Sequence, residues 1–184
     1  MTVAGLVLAA GAGRRFGGPK ALVELDGERL VDRAVRVVRN GGCDPVVVVA
    51  GATPLDVPGV HVVDNPQWAT GMGSSLRTGL AALPAPPTAA VIVLVDTPWL
   101  GSESVRRLVR AHHAGADLAI ATYDGKRGHP VLLGRVHWAG AAAMATGDSG
   151  ARAYLAGRDD VVEINCTGTG DPRDVDDPAD LRRS

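Results

Sequence analysis

Three short stretches of the chain are almost wholly aliphatic or β-branched: Val3–Leu8, Val46–Ala50 and residues 91–95. An unbroken apolar run of this length fits a strand covered on both faces, as in a parallel sheet, because a strand with one wet face alternates. Weaker runs at residues 60–63, 118–122, 131–133 and 161–164 predict further strands. Between them, apolar positions return at helical spacing. Leu30, Ala34, Val37 and Val38 share one face of a helix that stops at Asn40-Gly41-Gly42. Leu76, Leu80 and Leu83 share another, ahead of a proline-rich turn at residues 84–87, and Val105, Leu108 and Val109 form a third with Gly101 or Ser102 as N-cap. Strand and helix alternate throughout, which predicts an α/β fold: a three-layer α/β/α sandwich, Rossmann-like, around a mostly parallel sheet. No internal repeat or long linker interrupts the pattern, so residues 1–184 are expected to form one domain, with residues 168–172 detaching only a short acidic tail.

Composition narrows the function classes. The 184 residues are 46% apolar and 21% charged, with a formal net charge of −1. Such a balance suits an ordinary globule and argues against nucleic acid as a partner. No basic leader precedes the first strand and no apolar run reaches the length of a membrane span, so a cytoplasmic location is expected. Cys43 and Cys166 are too few and too far apart for a zinc site and are expected to be half-buried free thiols. The adjacent pair His112-His113 reads as surface, since neighbours on a helix point apart and make a poor metal pair. Lys20 and Lys126 are the lysines of a chain whose other cations are all arginine.

Ligands of open α/β sheets collect beyond the carboxyl ends of the strands. That rule selects the segments after Leu8, Val63 and Val95. The first belongs to "LVLAAGAGRRFGGPKAL", residues 6–22. A Rossmann fingerprint fails there, because Phe16 stands where its third glycine belongs and Asp32 falls inside a helix; a P-loop fails because Pro19 and Ala21 flank Lys20. What remains is a run of small residues, two arginines and a Gly18-Pro19 turn presenting a lysine. Backbone N–H groups of small residues can approach phosphate oxygens, and Arg and Lys can neutralise them. A plain turn with solvated arginines is the competing reading.

The same stretch resembles the signature loop of the MobA-like nucleotidyltransferases, Leu-Ala-Ala-Gly-x-(Ser/Gly)-x-Arg-(Met/Phe)-Gly-x-x-Lys, and within that group it is most similar to molybdenum cofactor cytidylyltransferases. The resemblance implies a nucleotide-diphospho-sugar transferase-like fold. It also implies that Leu8, Ala9, Ala10, Gly11 and Gly13 bind the nucleotide, with Arg14 or Arg15 and Lys20 on the triphosphate oxygens. "NPQWATGMGSSL", residues 65–76, resembles the second family signature, which implies base recognition by Gly71 and Ser75 with Asn65 beside them. On the residues alone, Ser74 could equally be a helix cap and Trp68 a packing residue. "VIVLVDTPWL" ends an apolar strand in Asp96, where a carboxylate must be solvated, hydrogen-bonded or on a metal. The family usually has Asp-Met-Pro or Asp-Gln-Pro at that point, and this chain has Asp-Thr-Pro. "DVDDPADL" resembles the closing family motif, with Asp177 in place of threonine, and implies Asp176 as second metal ligand; a solvated acidic helix start is its rival. "RGHPVLLGR" and "GDSGAR" have family counterparts too, implying that His129 and Asp148 border an acceptor pocket, where His129 meets a phosphate and Asp148 is a contact or a helix cap.

The expected chemistry is attack of an acceptor phosphate on the α-phosphorus of a nucleoside triphosphate, with magnesium, or manganese in its place, on Asp96 and Asp176. Lys20, Arg14, Arg15 and Asp96 are the catalytic candidates. The resemblance implies CTP as donor and molybdopterin-bound molybdenum as acceptor, and Ala9-Ala10-Gly11 resembles the cytidylyl rather than the guanylyl version of the loop. The rivals are a related enzyme acting on a phospholactate, a sugar phosphate or a polyol phosphate, and a nucleotide-binding or chaperone-like partner of a molybdoenzyme without turnover.

Overall fold

The computed structural model describes residues 1–182. Strand β1 (Val3–Leu8) is an interior strand of a seven-stranded sheet, paired in parallel with β4 (Val46–Ala50) on one side and β6 (Ala89–Leu94) on the other. The edge strand β5 (His61–Asp64) runs parallel to β4. These central strands are the continuous apolar runs, and both of their faces are covered. Val3, Val7 and Ala9 pack with Leu30 and Val38 of α1 (Leu30–Asn40) and Val105 and Leu108 of α3 (Ser102–His113). Ala4, Leu6 and Leu8 turn to the opposite face, onto Leu76 and Leu80 of α2 (Met72–Ala82) and Trp138 and Ala141 of α4 (Trp138–Met144). The period of two along one strand therefore builds two cores and three layers.

Beyond β6 the sheet is mixed. β7 (Leu118–Tyr123) and β8 (Lys126–Gly134) form an antiparallel hairpin across Asp124 and Gly125, both at positive φ. Asp-Gly with both residues left-handed matches the right-handed twist of the flanking strands. β8 inserts between β6 and β7, antiparallel to both, and β9 (Val162–Asn165) closes the edge parallel to β7. A second Asp-Gly turn, Asp26-Gly27, joins the short β2 (Glu24–Leu25) and β3 (Glu28–Arg29) just before α1. The short α5 (Ala151–Leu155) follows α4. The strands expected at residues 91–95 and 131–133 begin earlier than their apolar runs suggest, and Val95 lies just past the end of β6.

Two expectations about burial change. His112 is buried, with Nε2 2.9 Å from Thr88 Oγ1 and Nδ1 2.9 Å from the Ala116 carbonyl, whereas His113 is exposed as expected. The last turn of α3 faces the sheet at that point, so only one of the two neighbours is on the surface. Cys43 and Cys166 are both buried free thiols, and burial pushes the Cys43 thiol up to about 12. Among the described residues no helix is long and apolar enough to cross a membrane.

Candidate active site

The carboxyl ends of β1 and β6, with the segment from Trp68 to Ser75 that follows β5, open on one cleft of about 460 Å³. Its floor is Leu8 with Leu94 and Val95, and one wall is the glycine loop from Ala10 to Arg15. The loop curls back on itself: the Gly13 carbonyl accepts from the N–H groups of Gly17 and Gly18 at 2.9 and 3.2 Å. Gly13 sits at φ +58°, and a Cβ there would fall 1.9 Å from the Gly18 carbonyl oxygen, so only glycine closes this turn. The chain then passes Pro19 into a 3₁₀ turn (Lys20–Leu22), which aims Lys20 across the cleft mouth.

The opposite wall is the N-terminus of α2. Its N-cap is Gly71 at φ +109°, with no side-chain cap. Ser74 is therefore not the cap: it lies in the first turn, and its hydroxyl donates to the Gly71 and Gln67 carbonyls. The α4–α5 connection clasps this end of the helix, with the Gly73 N–H donating to the Gly147 carbonyl at 2.8 Å. Trp68, Ala69, Gly71, Met72, Ser75 and Asp148 all line the cleft. Asp148 does not cap α5, whose N-cap is Gly150.

The charged end is assembled from distant parts of the chain. Asp96 follows β6. Asp176 arrives on a C-terminal strap laid along residues 96–101, where Val175 N–H donates to the Asp96 carbonyl at 2.8 Å and Asp171 N–H to Trp99 at 3.0 Å. Gly101 admits the strap, since a Cβ there would meet the Thr169 carbonyl at 1.8 Å. Lys20 Nζ stands 3.2 Å from Asp96 Oδ2 and 3.5 Å from Asp176 Oδ1, and Arg15 is 3.2 Å from Asp176. Arg14 lines the cleft and makes no ion pair among the described residues. Burial pushes the Asp96 carboxyl above its ordinary value, and the Lys20 ammonium beside it works in the opposite direction. The other oxygen of Asp96, Oδ1, is buried and has no hydrogen-bond partner among the described residues.

That donor set suits a hard divalent cation, which takes one or two carboxylates and fills its shell with substrate phosphate oxygens and water. Asp96 supplies an unpartnered buried oxygen, Asp176 supplies a second carboxylate within reach of the same ammonium, and the cleft beside them is open to an anion. Among the described residues no larger cluster of metal-ligating side chains exists.

Of the residues named from sequence, Leu8, Ala10, Gly11, Gly13, Arg14, Arg15, Lys20, Gly71, Ser75, Asp96, Asp148 and Asp176 meet in this cleft. Ala9, Asn65 and His129 do not line it, and each is buried. Ala9 points to the other face of the sheet, as strand alternation requires. Asn65 stands behind the serines of α2. His129 was expected to meet an acceptor phosphate, but β8 carries it inside the sheet. Its Nδ1 has no hydrogen-bond partner among the described residues, and burial, with Arg152 nearby, lowers its pKa to about 3, so it is neutral and brings no charge to a phosphate. Ala12, Trp68, Ala69 and Met72 are lining residues that the sequence reading did not assign. Their proximity to Gly11, Gly13 and Gly71 was the available signal.

Residues 5–162 match the family model described as the MobA-like NTP transferase domain. Among curated proteins, the chain is 36% identical to nicotine blue oxidoreductase of Paenarthrobacter nicotinovorans, over 95% of this chain and 92% of that protein. It is 34% identical to molybdenum cofactor guanylyltransferase of Rhodobacter capsulatus, over 63% of this chain and 62% of that one. Among solved structures, Rv0371c from Mycobacterium tuberculosis H37Rv superimposes with a TM-score of 0.85 at 28% identity, covering 100% of this chain and 97% of that one. The complex of Rv0371c with manganese gives 0.77 at 29% identity, with the same coverage of both chains.

Proposed function

The chain belongs to the MobA-like NTP transferase family, and on that premise we propose that it moves a nucleoside monophosphate from a nucleoside triphosphate to a phosphorylated small molecule. An oxygen of the acceptor phosphate attacks the α-phosphorus. The new P–O bond forms as the bond to the β-phosphate breaks, and pyrophosphate leaves with the electron pair. The observation that carries this reading is the Lys20 ammonium held by Asp96 and Asp176 at the end of a cleft walled by the glycine loop.

Such transfers need little covalent chemistry from the protein, and positioning with charge neutralisation does most of it. In this reading the glycine loop receives the triphosphate with its main-chain N–H groups. Lys20, Arg15 and Arg14 balance its charge, and Asp96 and Asp176 would hold magnesium, or manganese in its place. When bound, that ion would draw electron density from the phosphate oxygens. Gly71 and Ser75 face the base, and Asp148 borders the acceptor. CTP as donor rests on the cytidylyl-like Ala9-Ala10-Gly11 and molybdopterin as acceptor on the family resemblance, while the guanylyltransferase relative favours GTP, so both nucleotides belong in the test. A cytoplasmic site of action, one domain over residues 1–184 and hand-over of product to a molybdoenzyme or its chaperone complete the proposal.

The decisive assay is pyrophosphate release from purified protein with magnesium, CTP or GTP, and molybdopterin or another phosphorylated acceptor. Release with either nucleotide, dependent on acceptor, supports the transferase reading; its absence across the panel counts against it. The 36% identity to nicotine blue oxidoreductase favours a second reading, a redox reaction in the same cleft. That reading expects net oxidation or reduction of an added redox substrate without pyrophosphate release.

A further inference from the structure

Lys20 stands between the two carboxylates that would hold the divalent ion. Its Nζ is 3.2 Å from Asp96 Oδ2 and 3.5 Å from Asp176 Oδ1, and its side chain is the most buried of the three. The other oxygen of Asp96, Oδ1, is itself buried, so an ion bridging the two carboxylates enters through the gap that the ammonium fills. A dication set against that ammonium is repelled. Nor does the gap offer a surplus of negative charge. Asp96, Asp176 and, at longer range, Asp174 face Lys20, Arg15 and the cleft-lining Arg14. The cation at this point is one of two lysines in a chain whose other cations are arginine. An ammonium on a flexible four-carbon stem can change partners without moving the backbone, whereas a guanidinium would fork across both carboxylates. The glycine loop that lines the same cleft lies within the reach of that stem.

We propose that Lys20 is an internal counter-ion that keeps a divalent ion out of the Asp96–Asp176 gap until the phosphates of the nucleotide draw its ammonium toward the glycine loop, so that metal and nucleotide enter together. The inference rests on the nucleotide-transfer reading, in which Lys20 ends on the triphosphate. The phosphates take the ammonium as the carboxylates take the ion, so neither acid is left unpaired in the partly buried gap. Until then Lys20 and Arg15 together hold Asp176, and with it the C-terminal strap, in place. By linkage, a nucleotide that removes the ammonium raises the affinity for the ion, and the ion raises the affinity for the nucleotide.

Electron paramagnetic resonance counts free Mn²⁺ in a titration of the protein without nucleotide, and calorimetry measures binding of the manganese complexes of CTP and GTP. Lys20→Met is expected to bind Mn²⁺ alone about tenfold more tightly than wild type, because one adjacent like charge is gone. It should bind the manganese nucleotide that the wild type prefers about tenfold less tightly, for want of one charged hydrogen bond. Opposite signs are the signature, since a merely structural lysine would weaken both. Lys20→Arg should bind Mn²⁺ alone no better than wild type. Arg14→Met removes a charge from the same cleft but no ion pair with either carboxylate, and should stay close to wild type. The gain in Lys20→Met should vanish in the double variant Lys20→Met, Asp96→Asn. Unchanged Mn²⁺ affinity in Lys20→Met, an equal gain in Arg14→Met, or a gain that survives Asp96→Asn overturns the proposal. If Lys20→Met does not fold, Lys20→Gln takes its place. Saturation of the wild type by Mn²⁺ alone, at the concentration that the manganese nucleotide requires, overturns the proposal without any variant. Absence of Mn²⁺ binding in every protein, with or without nucleotide, overturns the metal reading and this inference together. The expected gain in Lys20→Met beside a wild type that releases no pyrophosphate supports this inference and overturns the transfer reading alone.

Discussion

Replacing Lys20 by Met keeps the length of the side chain and removes its charge from between two carboxylates. At 3.2 Å the attraction between Lys20 and Asp96 is about 5 kcal/mol gross, with an effective dielectric constant of about 20. Desolvation of both groups offsets most of that. The side chains are 14% and 24% exposed, so the pair lies between the surface regime of about 0.2–1 kcal/mol and the cost of about 3–5 kcal/mol for orphaning a fully buried partner. A loss of about 1–3 kcal/mol is therefore expected in urea unfolding at neutral pH. The pH dependence has a definite sign. Burial already holds the Asp96 carboxyl above its ordinary value, and Lys20 is what draws it down. Without Lys20 the folded-state value rises further, so the deficit is largest at neutral pH and shrinks as acid protonates Asp96. Turnover should fall about 10²- to 10³-fold, the usual consequence of removing one preorganised stabiliser of transition-state charge. Pyrophosphate release within a few-fold of wild type would refute the role given to Lys20. A stability deficit independent of pH would refute the electrostatic account of Asp96.

Asp96→Asn should abolish most turnover at little cost in stability, because the amide replaces a carboxylate that burial disfavours; a large fall in Tm would contradict this. His129 supplies a pH dependence of its own. Its folded value near 3 lies below the unfolded value near 6.5, so the stability it contributes is complete above pH 6.5 and is lost on acidification. The slope is about 1.4 kcal/mol per pH unit, so between pH 7 and 5 urea unfolding should show about 2 kcal/mol lost by wild type and retained by His129→Gln. Equal losses in the two proteins would contradict the buried neutral imidazole. Gly71→Ala places a Cβ 2.4 Å from the Gly147 carbonyl at φ +109° and should cost roughly 1–3 kcal/mol while weakening nucleotide binding; calorimetry and thermal melts check both.

Local pattern and remote contact divide what the sequence can say about this protein. The apolar runs at Val3–Leu8 and Val46–Ala50 were sufficient to predict covered parallel strands, because burial on two faces leaves no polar position in the run. The helical faces of Leu30–Asn40 and Ser102–His113, and the segments beyond Leu8, Val63 and Val95, were legible for the same reason: each is a relation between residues a few positions apart. The hairpin across Asp124-Gly125 was not read from the strand pattern, and only the observed pairing shows β8 inserted antiparallel beside β6. Tertiary structure decided which functional groups meet. Lys20 touches Asp96 across 76 positions and Arg15 touches Asp176 across 161, through a strap whose course depends on Gly101 and Thr169 lying against each other. It also separated residues that look alike in the chain. His112 is buried and His113 exposed, His129 is enclosed by the sheet, and Asn65 stands behind Ser75. Motif spacing records which residues stand near one another along the backbone, but solvent access and hydrogen-bond partners are set by the elements packed on top of them.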